Sequence, residues 1–235
     1  MSANVINRVF NCDCSEFMKE MPNKCVDLIL TDPPYLLTKS DPGTTGYLSM
    51  SLDKYKENGR LRELCDGFDI EETLCEFERI LKKVNIFIFC SNKQISSIMS
   101  WGEKRGYFTT LLIWHKYNSA PFANGVWRQD AEFCVHIREK GSYFLGDADL
   151  KQKVTRLPCN PSKFGHPTEK PLKLVEKYLK IGASKGHIVF DPYLGSGTTA
   201  VACKSLGINY IGCEIKKDYF KIINKRLSQV QGILF

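Results

Sequence analysis

No apolar run in this 235-residue chain approaches the roughly 20 residues that a helix needs to cross a bilayer. Residues 1–11 also lack the apolar stretch of a secretion signal, because Asn and Arg interrupt the short apolar residues there. A cytoplasmic protein with no membrane contact is the expectation. Cysteine is not scarce, at ten residues, but its spacing lacks what a zinc site requires. Cys12 and Cys14 form one close pair, and no second close pair accompanies them. The chain is also too long and too regular for a disulfide scaffold, and a cytosol keeps thiols reduced. Cys90, Cys134, Cys203 and Cys213 lie in apolar runs and read as small core side chains. Internal repeats and low-complexity segments are absent, and so is the length for a large second domain. A single domain over residues 1–235 is expected.

What the chain does carry is an uneven charge. Residues 1–100 hold 12 Lys and Arg against 15 Asp and Glu, a net −3. The remainder holds 21 against 11, a net +10, so the second half carries the whole excess of +7. Such a half suits a polyanionic partner, with a merely solvated surface as the plainer alternative.

Short apolar runs alternate with helical patterns. Strands are expected at 5–10, 26–31, 85–90, 108–114, 133–137, 187–191 and 210–214. Helical segments are expected at 15–21, 70–83, 93–104, 171–181, 198–206 and 217–229, the one at 171 opening on Pro171. Residues 36–68 are polar, with turn signals at Asp41-Pro42-Gly43 and Asn58-Gly59, and read as a mobile loop. Residues 141–165 read as irregular and basic. The alternation predicts an α/β fold, a mostly parallel Rossmann-like sheet with helices on both faces.

Two segments concentrate the chemistry. Thr31-Asp32-Pro33-Pro34-Tyr35 and Asp191-Pro192-Tyr193-Leu194-Gly195-Ser196-Gly197-Thr198-Thr199 each follow an expected buried strand. In open α/β sheets the carboxyl ends of strands are where ligands bind. The first segment sets a carboxylate beside two prolines and a ring, which suits a planar base bearing an amine. The second lets backbone approach a ligand closely and then opens a helix. About 20 residues on, Glu214 is spaced to accept hydrogen bonds from ribose hydroxyls. A proline turn and a tight strand–helix turn are the blander alternatives.

With these segments the chain resembles the DNA amino-methyltransferases that use S-adenosylmethionine and modify exocyclic amines of adenine or cytosine. The resemblance runs over nearly the whole length, through Asn11-Cys12-Asp13-Cys14, Thr31–Tyr35, His166-Pro167-Thr168-Glu169-Lys170-Pro171, Asp191–Thr199 and Ile208–Glu214. The catalytic loop precedes the cofactor loop, as in the circularly permuted beta group. The resemblance implies that Asp13 holds the cofactor's adenine amine and Glu214 its ribose. It implies that Asp191, Gly195, Gly197 and Thr198 line the methionine and ribose side, and that Thr168 and Lys170 meet the amino-acid end. Tyr193, Leu194 and Cys12 depart from the family's usual residues. It further implies that Asp32, Pro33, Pro34 and Tyr35 form the catalytic loop, the Asp32 carboxylate and the Pro33 carbonyl accepting hydrogen bonds from the target amine and Tyr35 stacking on a base that has left the duplex. No metal is called for. Asp rather than Ser at position 32 implies adenine N6, with cytosine N4 and a catalytically silent DNA-binding relative as alternatives. Pro158-Cys159 resembles the Pro-Cys of cytosine C5 enzymes, but it lies in an irregular stretch.

Double-stranded DNA is the implied partner. Residues 116–165 are the candidate target-recognition insertion, with Trp127, Arg128, Arg138, Lys140, Lys151, Lys153 and Arg156 among its basic and aromatic residues. A second copy of the chain is a further candidate partner. Gln231-Gly232-Ile233-Leu234-Phe235 resembles the peptide by which bacterial proteins dock on the replication sliding clamp. The plainer and favoured reading is that Leu234 and Phe235 pack on the closing helix.

Overall fold

The computed structural model describes residues 5–36, 68–119, 127–159 and 169–230. Among these, eight strands make one sheet: β1 (Arg8–Phe10), β2 (Leu28–Thr31), β3 (Asn85–Cys90), β4 (Phe108–His115), β5 (Ala131–Arg138), β6 (Val154–Arg156), β7 (Ile188–Asp191) and β8 (Asn209–Cys213). Six helices accompany them: α1 (Cys14–Lys19), α2 (Ile70–Ile80), α3 (Ile95–Lys104), α4 (Leu172–Gly182), α5 (Thr198–Leu206) and α6 (Lys217–Gln229). Sheet order is β1-β8-β7-β2-β3-β5-β4-β6. All pairings are parallel except those of β5, which runs against both β3 and β4.

The strands are apolar on both faces because both faces are covered. Leu28, Leu30, Phe87, Phe89 and Val189 point to the side packed by α4, α5 and α6. Ile29, Ile86, Ile88, Phe190 and Ile211 point to the side packed by α1, α2 and α3. Burying each of these large side chains stabilises the fold by about 1.5–3 kcal/mol. Leu174, Val175, Tyr178, Leu179 and Ile181 of α4 supply much of the first layer, and Leu74, Phe77 and Ile80 of α2 supply much of the second.

The expected alternation of strands and helices holds, and the departures have local causes. Helix α2 begins where Asp69 accepts from the Glu72 amide at 2.8 Å. It stops at Ile80 rather than Lys83 because Leu81 turns extended and bridges Val26 in parallel. That bridge also holds Val26 apart from β2, which starts at Leu28. Strand β5 reaches two residues further back than expected, to Ala131, and carries Glu132 inside it. Strand β6 lies within the stretch expected to be irregular. Its three residues have no apolar run to announce them, and they pair with Ile113–His115 at the sheet edge. Lys177 of α4 fastens β6 by donating to Gln152 O and Thr155 Oγ1, both at 2.7 Å. No helix among the described residues is long and apolar enough to cross a membrane.

Candidate active site

The two chemistry-bearing segments meet at the point where the sheet changes direction. Strands β7 and β2 are parallel neighbours. From β7 the chain passes through α5 to β8 on one side, and from β2 it passes through α2 to β3 on the other. A crevice at the carboxyl ends of such a strand pair is the expected ligand position. Thr31 Oγ1 donates across the pair to Asp191 Oδ1 at 2.7 Å, so residues 160 positions apart in sequence lock the two loops together. Asp191 also accepts from the Tyr193 amide at 3.1 Å and is 3% exposed. Burial pushes its carboxyl up to about 7, against the hydroxyls of Thr199 and Thr31, which favour the anion.

The glycine loop that follows is held from below. Gly195 and Gly197 have φ of 56° and 89°, a left-handed backbone that favours glycine. A Cβ on Gly197 would stand 3.0 Å from the Ile223 side chain of α6. Helix α5 opens at Thr198 directly after the loop, so its first amides point at whatever lies there. Beneath the loop, Arg226 of α6 donates to Ser196 O at 2.7 Å, Ser196 Oγ at 3.0 Å and Thr198 Oγ1 at 3.3 Å. It also pairs with Glu169 at 3.1 Å. Sequence reasoning missed Arg226. Its signal was a charged residue on the buried stripe of α6, beside Ile223 and Leu227. Leu194, one of the departures from the family pattern, fits because β8 carries Gly212 opposite it. A Cβ there would meet Leu194 Cδ2 at 2.7 Å.

Strands β8 and β1 end side by side, the first just before Glu214 and the second shortly before Asp13. Asn11 Nδ2 donates to Glu214 O at 2.7 Å and to Ile215 O at 3.0 Å, tying the two strand ends together. Glu214 accepts from Gly195 N and Lys216 N, each at 2.8 Å, one at each carboxylate oxygen. Burial raises its pKa, opposed by those two amides. Each oxygen keeps acceptor capacity for a ligand hydroxyl. Asp13 is exposed and caps α1, its Oδ1 accepting from Ser15 N at 2.8 Å and Glu16 N at 3.2 Å.

The Asp-Pro-Pro-Tyr loop is anchored from the end of β3. Gln94 Nε2 donates to Pro34 O at 3.4 Å, and Ser91 Oγ to Leu36 O at 3.3 Å. Asp32 Oδ2 lies 2.5 Å from Lys170 Nζ, while Oδ1 is buried with no hydrogen-bond partner among the described residues. Burial raises the Asp32 pKa, and the Lys170 ammonium works against it. The Tyr35 ring sits 5.3 Å from the same ammonium. Its phenol is pushed well above its ordinary value by burial and by the charges of Asp32 and Glu132. Lys170 thus lies on the Asp32 carboxylate; the resemblance implied the amino-acid end of the cofactor. Glu132, absent from the sequence reading, forms ion pairs with Lys116 at 2.5 Å and Lys170 at 3.3 Å.

Several expected residues fall elsewhere. Thr168, residues 37–67, residues 120–126 and 160–165, and Gln231–Phe235 lie outside the described residues. Within the insertion, Trp127 is 90% exposed, and Arg128 donates to Ser119 Oγ at 2.9 Å. Arg156 pairs in register with His115 at the carboxyl end of β4, on the side of Asp32. Arg138 pairs with Asn85 and Phe108 at the opposite edge of the sheet, packed over the Phe108 and Phe144 rings. It therefore stands away from the catalytic edge.

Comparison with known proteins bears on this geometry. The model of a family described as DNA methylase, covering N6 and N4 enzymes, matches residues 26–225. The type II methyltransferase M.HpaI of Haemophilus parainfluenzae is 30% identical over 92% of this chain and 73% of its own length. The type II methyltransferase M1.MboII of Moraxella bovis is 26% identical over 96% and 98%. Among solved structures, the complex of M1.HpyAVI with S-adenosylmethionine superposes with a TM-score of 0.70 at 29% identity, covering 94% of this chain and 98% of that one. The cytosine-N4-specific PvuII methyltransferase superposes at 0.66 with 16% identity, over 97% and 87%, and so shows the fold alone.

Proposed function

The chain belongs to the N6 and N4 DNA methylase family, and we propose that the amine it methylates is N6 of adenine in double-stranded DNA. It is a DNA methyltransferase, and S-adenosylmethionine is its methyl donor. The residues present suit that donor. A side chain at Gly197 would crowd Ile223 at a φ of 89°, α5 presents its first amides, Glu214 keeps spare lone pairs, and Asp13 is exposed. In our reading Asp13 and Glu214 hold the adenosine, and Asp191, Gly195, Gly197 and Thr198 line the methionine and ribose side. Bound there, the donor supplies a sulfonium methyl group.

The observation that carries the reading is Asp32. Its Oδ2 is fixed by Lys170 and its Oδ1 is a buried acceptor without a partner, one loop away from the glycine cradle. An aromatic amine is a poor nucleophile because its lone pair is delocalised into the ring. Asp32 Oδ1 and the Pro33 carbonyl accept its two hydrogens and draw the nitrogen toward a tetrahedral shape, while Pro34 and Tyr35 shape the slot for the extruded base. The Asp32 charge then stabilises the positive charge that develops on nitrogen. Aspartate at position 32 supports adenine over cytosine, by resemblance. The order of the motifs supports the permuted beta arrangement, since β7 with its glycine loop comes late in the chain yet lies beside β2. Residues 116–165, with Lys116, Arg156 and Trp127 toward the catalytic edge, are our candidates for DNA contact. A cytoplasmic site of action and a homodimer belong to the same reading, and clamp docking through Gln231–Phe235 is its less favoured extension.

The test is product analysis. DNA incubated with the protein and methyl-labelled donor is hydrolysed to nucleosides and separated. Label in N6-methyladenine is expected. Label in N4-methylcytosine overturns the adenine assignment, and donor binding with no label in DNA makes the protein a silent relative.

A further inference from the structure

The mechanism above uses Asp32, yet the carboxylate does not stand alone. Lys116 Nζ lies 2.5 Å from Glu132 Oε1, Glu132 Oε2 lies 3.3 Å from Lys170 Nζ, and Lys170 Nζ lies 2.5 Å from Asp32 Oδ2. Charges alternate along these four side chains and sum to zero. The members come from four places in the sequence: the end of β4, the start of β5, the segment before α4 and the loop after β2. Lys170 is 6% exposed. Burying two lysines and two carboxylates is costly unless each is paired and oriented by its neighbours. A solitary Lys–Asp pair would serve to neutralise Asp32, so the two further members call for another account.

We infer that Lys116, Glu132 and Lys170 are a positioning chain for Asp32: they hold it by Oδ2 and leave Oδ1 to accept from the target amine. The inference rests on the amino-methyltransferase reading for the amine and on geometry for the rest. It gives Lys170 a place on the catalytic side of the crevice. It also links Asp32 to Lys116, which follows the last residue of β4 at the edge facing the insertion. Contacts there act on the reacting carboxylate through three salt bridges.

Charge makes the chain measurable. The groups facing Asp32 are Lys170 from the segment before α4, Glu132 and Cys134 of β5, Tyr35 of its own loop, Cys90 of β3 and Asp191 of β7. Lys170 is the cation among them. It favours the Asp32 anion, while burial and Glu132 oppose it. Removing Lys170 and neutralising Glu132 therefore move the Asp32 titration in opposite directions.

The experiment is a carboxyl-carbon NMR titration of the full chain labelled at aspartate, with Asp32 assigned through Asp32→Asn. It compares wild type, Lys170→Met and Glu132→Gln. The Asp32 midpoint is expected to rise by about one unit or more in Lys170→Met and to fall in Glu132→Gln. In methyl-transfer assays Glu132→Gln and Lys116→Met should lower kcat about 10-fold or more, with KM for the donor unchanged. Glu132→Gln keeps the shape of the side chain and one acceptor oxygen while removing its charge, so it decides the matter even if Lys170→Met does not fold. An unmoved Asp32 midpoint in Glu132→Gln overturns the chain. So does Lys170→Met that weakens donor binding with the Asp32 titration unchanged, because Lys170 would then belong to the cofactor. Wild-type transfer to DNA, measured alongside, tests the function separately: its loss removes the activity and leaves the titration to judge the chain.

Discussion

Asp191 should make the folded protein less stable as pH rises, and Asp191→Asn should remove that loss. The carboxyl is 3% exposed, and burial pushes its pKa up to about 7, from an ordinary aspartate value of 3.8. A group whose folded pKa is raised contributes its stability fully below the unfolded value, and the contribution disappears as pH climbs through the folded value. Here the window runs from about pH 4 to pH 7. At about 1.4 kcal/mol per unit, a difference of roughly three units sets a ceiling near 4 kcal/mol. Relaxation and water penetration reduce it, and ~1–3 kcal/mol is the working expectation. Asparagine keeps an acceptor oxygen for Thr31 Oγ1 and the Tyr193 amide, the two bonds that seat the loops. Urea denaturation of wild type and Asp191→Asn at pH 5.5 and pH 8.5 isolates the effect, because all other titrating groups cancel in the difference. The variant should be more stable than wild type at pH 8.5 and gain roughly half as much at pH 5.5, midway through the window. An equal gain at both pH values, or a loss at pH 8.5, refutes the reasoning that the buried charge destabilises the loop junction.

Further outcomes concern the cradle and the basic edge. Glu214→Ala and Gly197→Val should each weaken donor binding in calorimetry, since one removes an acceptor and the other forces a Cβ to 3.0 Å from Ile223 at a φ of 89°. Unchanged affinity in both moves the cofactor site out of this loop. Arg226→Met should lower the melting temperature and weaken donor binding together, because Glu169 loses its 3.1 Å partner and Ser196 its clamp. The cost is about 3–5 kcal/mol for breaking a buried pair, and a melting temperature equal to wild type contradicts it. DNA affinity should fall steeply with salt, and Arg156→Ala, at the carboxyl end of β4 and β6, should flatten that slope by up to ~1 in log–log units. An unaltered slope means that this residue faces solvent.

Much of this site was legible in the sequence because its parts are local. A strand followed by a glycine loop and a helix announces itself through period and composition, and α5 and α6 lie where the pattern put them. Asp191, Gly197 and Glu214 could be named because their spacing is fixed by one βαβ unit. What stayed hidden is long-range. Glu132 opens a strand that the reading started at Phe133, since a glutamate interrupts the apolar run. Only the fold brings Lys116 and Lys170 to either side of it. Arg226 was hidden for the same reason, its partners Ser196 and Glu169 being far away in sequence. Strand β6 was missed because a three-residue edge strand is defined by its neighbour's hydrogen bonds and not by its own side chains.

The central claim is that Asp32 addresses the target amine while the donor is held elsewhere, and Asp32→Ala separates the two roles. Methyl transfer to DNA and donor affinity are measured on the same preparation. Transfer should fall by ~10²–10⁴, the range for a positioned group acting on the reacting amine, with donor affinity within tenfold of wild type. Transfer within about tenfold of wild type, or donor binding lost in parallel with transfer, contradicts the assignment of Asp32 to the amine.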